Sequence, residues 1–162
     1  MRVPDFEKHW KGTNIVYHGT ESGLASDILH AGFKGVGGCH CPTGEQVSYF
    51  SPSIVYAAHG RYAKVWPRKQ GGKTRYYQMV LQCRVKPSAV AVKDKETLGA
   101  DGQCDPNYDN KQLEWLVNAT RTDPSGNRFV DKNEVLLYGI MIRITDVHPK
   151  ELPEFNWSTW WP

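Results

Sequence analysis

Tyr76 to Val85 is ten residues of nearly unbroken strand signal, and Pro87 stops it. Val135 to Ile144 forms a second run of the same length. Its almost continuous apolar character predicts a strand buried on both faces. Two long strands this far apart in sequence need a sheet whose other members come from elsewhere in the chain. Short strands are predicted at Asn14–Tyr17, Val47–Phe50 and Leu113–Val117. Between them, Leu24, Ala25, Ile28 and Leu29 fall at helical spacing, with Gly32 as the stop. A second helix is expected from Pro52 to about Val65, with Ser51 as its N-cap, Pro52 in its first position and Gly60 weakening it. Many short strands with helices among the early ones predict an α+β fold rather than regular βαβ units.

Gly35–Gly44, Gly71-Gly72 and Asp123–Asn127 read as loops and turns. Lys93–Lys111 is polar, contains Gly99, Gly102 and Pro106, and reads as a long loop of the functional kind. The tail after Asp146 is broken by prolines and ends Trp157-Ser158-Thr159-Trp160-Trp161-Pro162. It cannot form a central strand, and its tryptophans are expected to cover the sheet.

A chain of 162 residues predicts one domain spanning residues 1–162. No apolar run reaches the roughly 20 residues of a membrane helix. Met1 to Glu7 shows no apolar core of a signal peptide. A monomeric, intracellular, cytoplasmic protein is the expectation. The formal charge of +3 is too small to imply nucleic-acid binding by itself. Cys39-His40-Cys41 has C-x-C spacing rather than the C-x2-C that lets two thiolates share a zinc ion. Cys83 and Cys104 have no cysteine near them in sequence, so reduced thiols and no metal are expected.

The chemistry-bearing segment is Val16-Tyr17-His18-Gly19-Thr20, which runs straight into a helix. A histidine beside a glycine at a strand end can face a cleft, and the glycine lets a flat ligand reach the backbone. Tyr49-Phe50-Ser51-Pro52 places a tyrosine at another strand end, where its ring could face an aromatic base or sit in the core.

Taken in order, Val16–Thr20, Ile28–Phe33, Tyr49–Pro52, Arg61–Ala63, Tyr77–Val85, Leu113–Val117 and Tyr138–Arg143 resemble the catalytic domain of the poly(ADP-ribose) polymerase-like ADP-ribosyltransferases. The similarity is to compact relatives, among them small fungal proteins and the C-terminal domain of neuralized-like proteins. It covers about residues 14 to 146. The resemblance implies two packed, mainly antiparallel sheets around an NAD+ cleft, and transfer of ADP-ribose with release of nicotinamide through a His-Tyr-Glu triad. Carried onto this chain, His18 would bond the adenine-side ribose and Gly19 the carboxamide. Tyr49 and Tyr62 would stack on the nicotinamide. Thr20 and Ser51 belong to the same binding segments. NAD+ is then the co-substrate, no metal is required, and the acceptor is a macromolecule, protein or nucleic acid.

Two glutamates compete for the third triad position. Asn133-Glu134-Val135 and Gln112-Leu113-Glu114-Trp115 both match family patterns. In the implied fold the glutamate opens a strand that another strand follows, which favours Glu114 and keeps Glu134 as the alternative. Gln112, two residues before Glu114, would share its strand face and orient the acceptor. The chain departs from the larger polymerases at Glu45–Ser48, where they carry glycines. The serine that contacts the carboxamide has no match near Ala57–His59. With no room for a regulatory or DNA-binding module, mono-ADP-ribosylation is expected over polymer synthesis. Two other readings stand beside it. One is an inactive NAD+-, ADP-ribose- or partner-binding module on the same fold. The other is a tRNA 2′-phosphotransferase, whose phosphate pocket Arg61, Arg68, Arg75 and Arg84 do not form as a motif.

Overall fold

The structure is a computed structural model that describes residues 8–37 and 45–151. Cys39-His40-Cys41, the N-terminal segment and the terminal tryptophans lie outside the described residues, and so do the expectations placed on them. The chain is α+β, with antiparallel sheets. In order it runs β1 (Asn14–Thr20), α1 (Ser22–Ala31), β2 (Val47–Phe50), α2 (Ile54–Ala57), β3 (Trp66–Gln70) and β4 (Lys73–Val85). It continues with β5 (Val90–Asp94), β6 (Glu114–Asn118), β7 (Arg121–Thr122), β8 (Arg128–Phe129) and β9 (Val135–Thr145).

The long strand β4 organises the first sheet. Along one side it pairs with β9, from Tyr76↔Thr145 to Val85↔Val135. Along the other it pairs with β1 over Met79–Val85 and then with β3 over Lys73–Tyr77, so β1 and β3 lie end to end. The second sheet has the order β2-β6-β5. Both sheets turn apolar side chains into one core. Val16, Leu81, Cys83 and Val85 come from the first, Phe50, Trp115 and Val117 from the second, and Ala25 of α1 joins them. One backbone bridge fastens the sheets together. Tyr17 N–H donates to the Ser51 carbonyl at 2.7 Å, and Ser51 N–H to the Tyr17 carbonyl at 2.9 Å.

That bridge corrects the expected second helix. Ser51 is held as a strand partner, so helix cannot begin there. Ser53 is the true N-cap, its Oγ accepting from Tyr56 N–H at 3.0 Å, and the helix is four residues long. Residues 58–63 are turns rather than helix. They are clamped by the buried amide of Gln78, which donates to the carbonyls of Ala58 at 2.6 Å and Ala63 at 2.7 Å.

Burial of β9 on both faces is also corrected. Ile140, Ile142 and Ile144 are 45%, 54% and 51% exposed, because among the described residues nothing covers the sheet face they share. The predicted loop from Lys93 begins instead as the end of β5, paired with β6. Among the described residues no helix is long and apolar enough to cross a membrane.

Candidate functional site

Continued past the Tyr17–Ser51 bridge, antiparallel register would set His18 opposite Phe50 and Gly19 opposite Tyr49. The strands separate there instead, and a cavity of about 680 Å³ opens between them. His18, Gly19, Thr20, Tyr49 and Tyr62 line it, with α1 along one wall. A second cavity of about 70 Å³ adjoins it. Its walls again include His18, Gly19, Tyr49 and Tyr62, now with Ser51, Tyr56 and Glu114. Residues predicted from separate segments of the sequence therefore meet at one place.

The His18 imidazole spans the opening. Its Nδ1 lies 2.7 Å from the Tyr49 carbonyl. A carbonyl only accepts, so Nδ1 carries the proton and Nε2 keeps its lone pair. Phe33 and Phe50 pack on the ring at 5.2 and 5.6 Å between centroids. Burial lowers the His18 pKa below the ordinary histidine range, and the bond to Tyr49 offsets this in part. Near neutral pH the ring is an uncharged acceptor.

The same burial predicts a pH-dependent stability. The unfolded chain takes up a proton near pH 6.5, whereas folded His18 does so only at lower pH. As pH falls through that window the unfolded state binds more protons. Stability then drops by up to about 1.4 kcal/mol per pH unit. His18→Gln should flatten the slope measured by urea unfolding between about pH 5.5 and 7.5. His59, whose pKa is lowered by burial and by Arg61 and Lys150, adds to the slope in the same sense. A slope unchanged in the variant would show that His18 is not the group responsible.

Glu114 opens β6 and is 6% exposed. Its Oε1 accepts from the Tyr56 hydroxyl at 2.6 Å and from Thr97 Oγ1 at 2.7 Å, with the Tyr62 hydroxyl at 3.3 Å. The Thr97 N–H in turn donates to the Tyr56 hydroxyl at 2.8 Å. Burial and then the bond to Glu114 push the Tyr56 hydroxyl far above the usual tyrosine value, so it stays a donor. These donors engage one carboxylate oxygen and hold the side chain in place.

Tyr56 and Thr97 did not stand out in the sequence. Tyr56 reads as a helix residue, and Thr97 lies in a polar loop in which no residue was distinguished. The only local signal is Ser53, whose cap sets the helix that aims Tyr56. Ser53 Oγ also donates to the buried Asp105 at 2.5 Å, fastening the same loop to α2.

Two other expected positions fall elsewhere. Glu134 lies in the turn before β9 and lines neither cavity. Its backbone carbonyl accepts from Lys86 N–H at 3.0 Å. Gln112 is not on a strand but ends a short 3-10 helix (Asn110–Gln112), so the two-residue strand alternation with Glu114 does not apply. Gln112 is exposed, and its carbonyl accepts from Trp115 Nε1 at 2.9 Å. No group of histidine, cysteine and acidic side chains among the described residues could hold a metal ion. Compared with models of known families and with curated proteins, the chain has no match.

Proposed function

We propose that the chain is an NAD+-dependent ADP-ribosyltransferase of the poly(ADP-ribose) polymerase-like type, which transfers single ADP-ribose units and releases nicotinamide. The supporting observation is the convergence of His18, Tyr49, Tyr62 and Glu114 on two adjoining cavities between β1 and β2. A cavity of about 680 Å³ lies within the range that holds small-molecule ligands.

In this reading each group has one task. His18 Nε2, unprotonated, accepts a hydrogen bond from a hydroxyl of the adenine-side ribose. By ladder alternation the Gly19 N–H and C=O point the same way as those of Tyr17, away from β4 and toward the opening, where they meet the carboxamide. The rings of Tyr49 and Tyr62 flank the nicotinamide. Cleavage of the glycosidic bond leaves positive charge on the ribose, and the Glu114 carboxylate stabilises it. Oε1 is held by Tyr56 and Thr97, which leaves Oε2 to take the ribose 2′-hydroxyl. The long contact from Tyr62 is the one the substrate displaces.

One observation favours a second reading, a module that binds NAD+ or ADP-ribose without turnover. Glu114 lines only the small cavity, and the Tyr62 hydroxyl stands beside its carboxylate. NAD+ labelled in its adenylate half separates the two. The transferase reading expects free nicotinamide and label on an acceptor or on the chain itself. Calorimetric binding with no nicotinamide release would support the module. Absence of binding would overturn both.

A further inference from the structure

Between Glu45 and Asp94 the chain contains nine lysines and arginines and not one acidic residue. The overall charge of +3 conceals this, because the acids are concentrated elsewhere. The structure gathers part of the excess on the β3–β4 hairpin. β1 ends opposite Met79 and β9 ends opposite Tyr76, so residues 68–75 stand beyond the rest of the sheet. Arg68 lies directly across from Arg75, and Lys73 from Gln70. All four side chains are exposed on one face, with Lys69 on the other.

Like charges placed directly opposite destabilise a strand pair. Among the described residues Arg68, Lys69 and Lys73 have no ion pair, and Arg75 reaches only the exposed Asp146, at 3.5 Å. Among the described residues Asp146 is the one acidic side chain paired with this face. At its base, on the same side, Trp66 and Tyr77 stack with centroids 5.7 Å apart at 22°. Side chains on one strand face recur about every 6.8 Å, comparable with successive phosphates of an extended strand.

We propose that the β3–β4 hairpin is a docking surface for single-stranded nucleic acid. Arg68, Lys73 and Arg75 contact phosphates on the face they share, and the part-exposed ring of Tyr77, backed by Trp66 where it leans on the core, lies where a base can stack. The hairpin tip is Gln70-Gly71-Gly72, with no apolar side chain to insert into lipid, which argues against a membrane as the occupant. Lys64, which lines the larger cavity, lies two residues before β3. The proposal does not depend on the reading of the cavity, since binding to the hairpin requires no NAD+.

The test is fluorescence anisotropy of the full chain with labelled oligothymidylate and a mixed-sequence RNA, each of about 20 nucleotides, from about 50 mM salt upward. Compared with wild type, R68Q/K69Q/K73Q/R75Q should bind at least about tenfold more weakly at the lowest salt. Its plot of log affinity against log salt should be shallower by about 2, from three phosphate contacts at about 0.7 each. K8Q/K11Q/K111Q/K132Q removes the same charge from exposed positions off the hairpin and should keep most of the binding. Three results would each overturn the proposal. These are no oligonucleotide binding by wild type, equal loss in the two variants, or tighter binding of phosphatidylserine vesicles than of oligonucleotide through the same four cations.

Discussion

Replacing Glu114 by glutamine should cut nicotinamide release by about 10²–10³-fold while changing NAD+ affinity by less than about threefold. Glutamine keeps the shape of the side chain and an oxygen able to accept from Tyr56 and Thr97, which stand 2.6 and 2.7 Å from Oε1. The packing of β6 and the loop around Thr97 should therefore survive, and only the charge is lost. A carboxylate that stabilises charge developing on the ribose acts most in the transition state, so its loss falls on turnover rather than binding. Alanine is a poorer probe, because it would leave the buried Tyr56 hydroxyl without its acceptor. Glu134→Gln is the matched control. It lies outside both cavities and should retain full turnover. An active Glu114→Gln enzyme beside a dead Glu134→Gln enzyme would reverse the assignment.

The sequence made the long strands of the first sheet legible because Tyr76–Val85 is apolar, rich in strand formers and closed by Pro87. It did not reveal β3. Trp66-Pro67-Arg68-Lys69-Gln70 has no alternating apolar face, and only its ladder with Lys73–Tyr77 makes it a strand. β9 failed in the opposite way. Its isoleucines suggested two buried faces, but a local pattern does not say whether another layer covers each face of the sheet. Ser51-Pro52 has the chemistry of a helix start, yet a long-range bridge to Tyr17 claims the Ser51 backbone and moves the cap to Ser53.

The site divides along the same line. His18, Gly19, Tyr49, Tyr62 and Glu114 stood in segments whose order was informative, and the fold brings them to adjoining walls. Tyr56 and Thr97 meet across 41 residues of chain, the Thr97 N–H donating to the Tyr56 hydroxyl, and no local pattern encodes that meeting.

Gly19→Ala should destabilise the protein by about 3 kcal/mol, the upper end of ordinary overpacking, and lower its melting temperature by roughly 6–12 °C. The reason is close approach rather than an unusual backbone angle, since Gly19 is not among the glycines with positive φ. A Cβ there would lie 2.1 Å from the Ala57 carbonyl oxygen, 2.8 Å from Tyr62 Cβ and 2.9 Å from Ala63 N. Two of those atoms are backbone, and neither side can give way. β1 is held along β4 from Asn14 to Thr20, and Gln78 clamps the turn at Ala58 and Ala63. Calorimetry of the variant without ligand is the decisive measurement. A glycine needed only to admit a ligand would leave the melting temperature unchanged and affect NAD+ binding alone. A fall in melting temperature would show that the glycine seats the 58–63 turn on β1, which fixes where the Tyr62 ring stands relative to His18 and Glu114. The bare Cα of Gly19 would then serve the site twice, by leaving its own backbone open toward the cavity and by setting the position of the opposite aromatic wall.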